Sequence, residues 1–257
     1  MYYLIQSNIY SDPDHHKTFE VLDDLGFEYE AIELDASMKT ITIKADRKDV
    51  FVYGSVKLAR LTKKNTNWNP GSFYGGNHNS KINANYYKNN LLNYPITVSK
   101  FADTLQWKPN ETKFIKPYQD AKIFTGRIFT ETKWVDFVKN ELENPKTKLL
   151  NTNSLVQISS PKKIFKEARV WIVGKKVIAS IYYKFHGDML FETNVEEEGI
   201  KFAEKMILVF NVSDAFVMDI CLTNEGWKIV EINCINSAGF YHLNPRILFR
   251  ALDIYFS

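Results

Sequence analysis

Residues 216–233 read Phe216-Val217-Met218-Asp219-Ile220-Cys221-Leu222-Thr223-Asn224-Glu225-Gly226-Trp227-Lys228-Ile229-Val230-Glu231-Ile232-Asn233. Two runs rich in apolar and β-branched residues flank Asn224-Glu225-Gly226, a turn signal in which Gly226 supplies the left-handed residue of a three-residue hairpin loop. Strand side chains alternate between faces. With Thr223 facing Trp227, the register puts Asp219 opposite Glu231 and Val217 opposite Asn233. The reading needs an odd loop length, because two or four loop residues would throw Asp219 and Glu231 onto opposite faces. Three oxygen-bearing side chains then share one face of an otherwise apolar hairpin.

Facing side chains on paired strands have Cβ atoms only about 5 Å apart, and like charges there repel. A cation between the two carboxylates removes that cost. Oxygen-only donors suit Mg²⁺ or Mn²⁺ rather than Zn²⁺. Mg²⁺ typically takes one or two carboxylates and completes its shell with waters and substrate phosphates, which points to nucleotide chemistry. A solvated edge hairpin would display the same acids, so the neighbouring segments decide between the two readings.

The bulk properties set outer limits. A chain of 257 residues, 45% hydrophobic and 14% aromatic, is long enough for one large or two small domains with a real core. The net charge of +3 is small, and no run of five or six like charges supports nucleic-acid or membrane binding. The two cysteines, Cys221 and Cys234, both lie in the hairpin strands, where free Cys acts as a small buried hydrophobe. With no signal-peptide pattern and no apolar run near the roughly 18 residues of a spanning helix, the chain reads as a soluble, unprocessed cytoplasmic protein.

Taken in order, Tyr2 to Gln6 reads as a strand, Ser11-Asp12-Pro13 as a helix start, and Gly26 as that helix's stop. Phe27 to Leu34, Ile41 to Lys44 and Asp49 to Tyr53 read as further strands, and an amphipathic segment with Val56, Leu58 and Leu61 follows Gly54-Ser55. This alternation predicts a small α/β domain. Lys63 to Asn90, dense in Asn, Gly and aromatics, reads as a long loop, either a surface excursion or a segment folding over a ligand. Thr112 to Pro117 and Gly126 to Phe129 read as strands, followed by a helix from about Thr132 to Glu143.

Lys116 and Lys122 flank a short turn that carries Thr125 and Gly126. Two ammonium groups with close backbone approach at a glycine form a phosphate cradle, although lysines at strand ends are also commonly just solvated. Leu155 to Ser159 is apolar enough for a buried strand. Glu167 to Lys184 is a hairpin turning at Gly174-Lys175 with the glycine first. With Val173 opposite Lys176, Arg169 faces Ser180, and Arg169 and Lys184 share a side. They make an anion site if that face lines a cleft and a solvated edge if it does not. Thr193 and Glu196 form a capping box for a helix carrying Ile200, Ala203 and Ile207, and Asn244-Pro245 opens a final helix. His15, His16, His78, His186 and His242 lack metal-ligand spacing and read as structural or surface residues.

Four matches together resemble the ATP-grasp family: Phe114-Ile115-Lys116-Pro117, the Lys122-x-Phe-Thr-Gly126 turn, Glu167-x-Arg169 with its hairpin, and Asp219 followed by Glu231-x-Asn233. The combination is most similar to a branch frequent in phages and bacteria that is marked by one arginine and two lysines. The resemblance implies an α/β (α+β) fold of two α/β subdomains closing on ATP and Mg²⁺. They would occupy residues 98–257, preceded by a small α/β domain over residues 1–97. It implies an ATP-dependent ligase: a carboxylate takes the γ-phosphoryl group to become an acyl phosphate, and an amine or similar nucleophile displaces phosphate, releasing ADP. The partners implied are ATP and small-molecule, peptide or protein carboxylates and amines.

By matched position Lys116, Lys122, Thr125 and Gly126 would hold the nucleotide phosphates, and the backbone at Gln157, Ile158 and Ser159 would meet adenine. Arg169 would stabilise the transferred phosphoryl group, Lys184 would hold the carboxylate, and Asp219, Glu231 and Asn233 would hold Mg²⁺ or Mn²⁺. The same fold would also serve a kinase acting on a hydroxyl, or a nucleotide-binding protein without turnover.

Overall fold

A computed structural model describes residues 1–9, 12–118, 123–143 and 150–257. The chain divides into two compact units, one formed by Met1–Tyr87 with Ile164–Ser257 and the other by Lys88–Lys163.

The first unit opens with β1 (Tyr2–Gln6), α1 (Lys17–Leu25), β2 (Tyr29–Ile32), β3 (Val50–Tyr53), α2 (Val56–Asn65) and α3 (Ser80–Tyr87). β1 lies between β2 and β3 and runs parallel to both. Parallel strands covered on both faces are continuously buried rather than alternating, as the central β1 and the neighbouring β3 are. α1 ends at Gly26 with φ +66, the left-handed stop that glycine adopts without a Cβ penalty. Ser55 caps α2 by accepting from the Leu58 backbone N–H at 3.3 Å.

Three expectations change here. α1 begins at Lys17 after a run of turns rather than at Asp12, and Ser11 lies outside the described residues. Residues 41–44 form no strand. The segment expected as a loop from Lys63 to Asn90 instead contains the end of α2 and all of α3. Its middle is tied to β3, since the Gly71 N–H donates to Val50 O at 2.7 Å and the Val52 N–H donates to Gly71 O at 3.2 Å.

The second unit carries β4 (Thr97–Lys100), β5 (Lys113–Pro117), β6 (Arg127–Phe129), α4 (Glu131–Glu143) and β7 (Leu155–Ser159). Its antiparallel sheet has the order β4-β7-β5-β6. Phe101, Ile115, Phe129, Trp134, Leu150 and Val156 form its core.

The chain returns to the first unit with β8 (Ile164–Val173), β9 (Lys176–Phe185), β10 (Asp188–Glu192), α5 (Glu197–Val209), β11 (Ala215–Thr223), β12 (Gly226–Cys234) and α6 (Pro245–Phe256). Five antiparallel strands order as β10-β9-β8-β11-β12. One core joins this sheet to the small parallel one: Tyr3, Phe51 and Tyr53 pack with Trp171, Val217, Phe240, Leu248 and Phe249. Glu196 itself occupies the N-cap of α5 without a side-chain cap bond, so the expected Thr193 capping box does not form. Asn244 does cap α6, accepting from the Arg246 N–H at 3.0 Å with Pro245 in the first turn. Among the described residues no helix is long and apolar enough to cross a membrane.

Candidate metal and anion site

The β11–β12 hairpin reaches the expected pairing by an unexpected route. Thr223 pairs with Gly226, so the loop is the two residues Asn224 and Glu225, and the ladder runs Leu222 with Trp227, Cys221 with Lys228 and Ile220 with Ile229. Continued unbroken, that register would put Val230 opposite Asp219. Instead the register shifts between Ile220 and Asp219, Val230 becomes the extra residue of a β-bulge, and Asp219 pairs with Glu231 and Val217 with Asn233. The even loop length would have separated the carboxylates, and the bulge restores them to one face by re-aiming Glu231.

Two bulges shape β9 in the same way. Val173 pairs with Lys176 as expected, but Arg169 pairs with Ile181 rather than Ser180, because Ile178 is bulged out. A second bulge at Tyr183 brings Lys184 opposite Glu167. Each bulge inverts the alternation once, so Arg169 and Lys184 do end on one side. Gly174 and Lys175 both have positive φ, +58 and +64, the type I′ pattern rather than the glycine-first turn expected.

The shared face therefore carries two adjacent rows across the sheet, Lys184–Glu167–Cys221–Lys228 and Ile181–Arg169–Asp219–Glu231. Asp219 is 2% exposed and Arg169 5%, so neither charge could persist without its partner. Arg169 donates from Nε to Asp219 Oδ1 and from Nη2 to Asp219 Oδ2, both at 2.8 Å, and from Nη1 to Gly239 O at 3.0 Å. Three of its five N–H groups are thereby engaged. Burial pushes the Asp219 carboxyl up to about 6, the Arg169 guanidinium opposes the rise, and the facing Glu231 adds to it.

Asn233 lies between the acids. Its Nδ2 donates to Asp219 Oδ2 at 3.1 Å and to Glu231 Oε1 at 2.9 Å. Half a turn of the amide would instead present Oδ1 to the same point. Two carboxylates and one amide oxygen converging there form an all-oxygen donor set, which fits Mg²⁺ or Mn²⁺ with remaining positions left to water and phosphate oxygens. Among the described residues no group of three or more His, Cys, Asp or Glu side chains is placed to hold a metal, so the set depends on Asn233.

Lys184 is ion-paired to Glu167 at 3.2 Å, and the Tyr183 hydroxyl donates to the other oxygen of Glu167 at 2.9 Å. The ring of Tyr241 stacks on Tyr183 at 5.0 Å and lies 4.3 Å from the Arg169 guanidinium, a cation–π contact at a desolvated position. Tyr241 and His242 both have positive φ, +51 and +66, and backbone of this kind persists only where its surroundings hold it. Asp12 and Asp14 do so, accepting the N–H groups of Phe240 at 2.9 Å and His242 at 2.8 Å. Glu167 belongs to the Glu167-x-Arg169 match but is given no role there, and Tyr183 and Tyr241 carry no motif that would have singled them out in the sequence. Only the register assembles them.

In the second unit Lys116 is half-buried on β5, directly opposite Gln157. A Cβ on Gly126 would lie 2.8 Å from Lys116 Cβ and 2.8 Å from Phe114 Cζ, so only glycine lets this turn approach the lysine strand. Thr125 is exposed beside it and lines a shallow cavity with Ile123, Phe124, Arg127, Phe137 and Glu141. Lys122 lies outside the described residues. Gln157, Ile158 and Ser159 sit on β7, which is paired with β4 on one side and β5 on the other. The two ladders therefore engage Gln157 and Ile158 on both sides, whereas Ser159 pairs with Phe114 of β5 only.

A family model for the ATP-grasp domain, family 3 of the clade named for one arginine and two lysines, matches residues 56–252. A comparison with curated proteins finds no match. Solved structures share the fold at low identity. A D-alanine–D-alanine ligase from Bacillus anthracis complexed with ATP aligns with TM-score 0.66 at 13% identity, over 98% of this chain and 96% of that one. An ATP-grasp RimK domain protein from Sphaerobacter thermophilus aligns with TM-score 0.66 at 10% identity over 100% of both chains. The macrocyclase MdnC from Microcystis aeruginosa, bound with its precursor peptide MdnA, aligns with TM-score 0.61 at 11% identity, over 98% of this chain and 100% of that one. The family match covers most of the chain and includes the Asp219, Glu231 and Asn233 hairpin, and the chain accordingly belongs to the ATP-grasp domain family, in the third family of that arginine-and-two-lysine clade.

Proposed function

We propose that this protein is an ATP- and Mg²⁺-dependent ligase that joins a carboxylate to an amine or similar nucleophile through an acyl phosphate, releasing ADP and phosphate. The observation that carries the reading is the convergence of Asp219, Glu231 and Asn233 on one face of a hairpin, with Arg169 clamped to Asp219. Resemblance in fold to a ligase complexed with ATP and to another complexed with a minimal precursor, Mg and ADP supports it. The neighbours include a D-alanine–D-alanine ligase and an ATP-grasp ligase complexed with a precursor peptide, so either a small-molecule or a peptide substrate fits.

In this reading Asp219, Glu231 and Asn233 hold Mg²⁺, which when bound neutralises phosphate charge and orients the γ-phosphoryl group. Arg169 fixes the Asp219 carboxylate in one orientation, and its two uncommitted N–H groups serve the transferring phosphoryl oxygens. Lys116 and Lys122 neutralise the phosphate chain as point charges, and Thr125 with Gly126 lets the turn close on it. Lys184, released from Glu167, receives the substrate carboxylate. The backbone at the end of β7, from Ser159 onward, contributes the adenine contact in this proposal, since Gln157 and Ile158 are engaged in the ladders. Such chemistry is positioning and charge neutralisation, and it needs no Ser, Cys or His nucleophile.

The test is to incubate the protein with ATP, Mg²⁺ and pools of carboxylic acids and peptides, adding hydroxylamine as a trapping nucleophile. ADP release coupled to hydroxamate formation supports the acyl phosphate. ADP release with a stable phosphorylated product and no hydroxamate would instead mark a kinase.

A further inference from the structure

The Val230 bulge does more than re-aim Glu231. Lys228 and Glu231 are three residues apart, and in an unbroken strand an odd separation places side chains on opposite faces. Here Lys228 pairs with Cys221 and Glu231 with Asp219, and Cys221 and Asp219 are two apart on β11, so all four share a face. Among the described residues β12 is also the outer strand of the sheet, and Lys228 and Glu231 are neighbours along that face of it. Opposite residues two apart on β11, the pair is separated by roughly 7 Å along the strand, a gap that a lysine side chain and one phosphate group together can bridge.

The Lys228 side chain is only 16% exposed, and the Glu225 carboxylate in the turn is 3.8 Å from its ammonium. Lys228 and Glu167 are the two cross-strand partners of Cys221, so both belong to the row that crosses the sheet beside that residue. At the far end of the row Lys184 is held by Glu167 at 3.2 Å, and in the next row Arg169 is held by Asp219. Lys228 is thus the basic side chain of β12 next to the carboxylate pair, on the metal-facing side of the sheet.

We infer that Lys228 binds the phosphate chain of the nucleotide held at Asp219 and Glu231, a contact made possible by the bulge at Val230 and resting on the ligase reading above. The competing role is local: Lys228 could serve only to pair with Glu225 and fix the hairpin turn. The two roles separate by substitution. Lys228→Met keeps the stem and removes the charge, Lys228→Arg keeps a charge, and Glu225→Gln removes the turn partner alone.

The experiment measures binding of the non-hydrolysable β,γ-imido analogue of ATP with Mg²⁺, and of adenosine as a phosphate-free probe, by calorimetry, with thermal melting of each variant alongside. Lys228→Met is expected to weaken the analogue by about tenfold, the size of one charge-assisted hydrogen bond. Its adenosine binding and melting stay unchanged, Lys228→Arg retains most of the affinity, and Glu225→Gln behaves as the unsubstituted protein. The inference is overturned if Lys228→Met binds the analogue normally, if Glu225→Gln reproduces its loss, or if adenosine binding falls in parallel. If the unsubstituted protein binds no analogue at all, the ligase reading fails and takes this inference with it. Normal binding by Lys228→Met removes this inference alone.

Discussion

Arg169 grips Asp219 with two parallel hydrogen bonds of 2.8 Å, Nε to Oδ1 and Nη2 to Oδ2, on neighbouring strands of one sheet where Arg169 and Asp219 are direct cross-strand partners. The fork geometry is one that lysine cannot reproduce. Removing one member of a buried pair leaves the other charge unsatisfied.

Arg169→Ala is accordingly expected to destabilise the protein by about 3–5 kcal/mol, whereas the double substitution Arg169→Met with Asp219→Leu costs much less. Urea denaturation of the single and double variants checks this. Equal losses in the two would mean that the pair contributes nothing beyond the space it fills. Arg169→Lys should recover part of the stability and little of the ATP turnover.

The pH dependence follows from Asp219. Its carboxyl is raised in the folded chain to about 6, so it ionises at a higher pH there than in the unfolded chain. Without divalent cation, the stability this group contributes is full below its unfolded value near 4 and is lost as pH rises through about 6. The loss is at most about 3 kcal/mol for a shift of this size. Added Mg²⁺ needs the ionised carboxylate, so its stabilising effect should grow over the same interval. Melting temperatures of the unsubstituted protein and Asp219→Asn, with and without Mg²⁺ between pH 4.5 and 7.5, check both trends. A Mg²⁺ effect independent of pH, or equal in Asp219→Asn, would contradict them.

Gly126→Ala tests the turn of the second unit. The added methyl meets Lys116 Cβ and Phe114 Cζ at 2.8 Å, and the first of these contacts cannot be relieved by moving a flexible side-chain end. A stability loss of about 1–3 kcal/mol is expected from the overpacking, with weaker ATP binding because Lys116 is displaced. Calorimetric titration with Mg²⁺ and the ATP analogue would show unchanged affinity if the turn has no part in the nucleotide site.

Much of this arrangement was legible in the residues. Apolar, β-branched runs around Gly174-Lys175 and Asn224-Glu225-Gly226 give both hairpins, and Gly26 and Asn244-Pro245 mark helix ends that form as expected. The bulges at Ile178, Tyr183 and Val230 were not legible, because a bulge is chosen by the packing of both faces and has no residue signature of its own. The expected pairing of Asp219 with Glu231 came out right although the three-residue loop assumed for it is not there: a two-residue loop and one bulged residue sum to the same displacement. α3 was hidden by Ser80-Lys-Ile-Asn-Ala-Asn-Tyr-Tyr87, whose asparagines have poor helix propensity. The strand β10, Asp188-Met-Leu-Phe-Glu192, is exposed along its length and shows no alternation to read.

The segment around Gly71 is pinned by a residue that no sequence motif marks. Asn236 is fully buried, donates from Nδ2 to Val52 O at 2.7 Å and to Gly71 O at 3.1 Å, and accepts the Phe73 N–H at 2.8 Å. Without ligand, limited proteolysis should therefore spare residues 70–74, and Asn236→Ala should open them to cleavage while costing about 1–3 kcal/mol for the groups left unsatisfied. Ready cleavage at 70–74 in the unsubstituted protein would contradict the clip, and the segment would then be a candidate for closing over substrate.

The central claim is that Asp219, Glu231 and Asn233 form the divalent-cation site used with ATP, and Mn²⁺ reports on it directly. In electron paramagnetic resonance the free Mn²⁺ signal is lost on binding, so titrating protein with Mn²⁺ in the presence of the non-hydrolysable ATP analogue counts sites and gives affinities, corrected for Mn²⁺ held by the analogue alone. The account predicts saturable binding to the unsubstituted protein and its loss in Glu231→Gln and Asp219→Asn, with Asn233→Ala weakened by roughly 10–100-fold, on the scale known for groups supporting a metal. Undiminished binding in Glu231→Gln and Asp219→Asn would place the cation elsewhere and contradict the account.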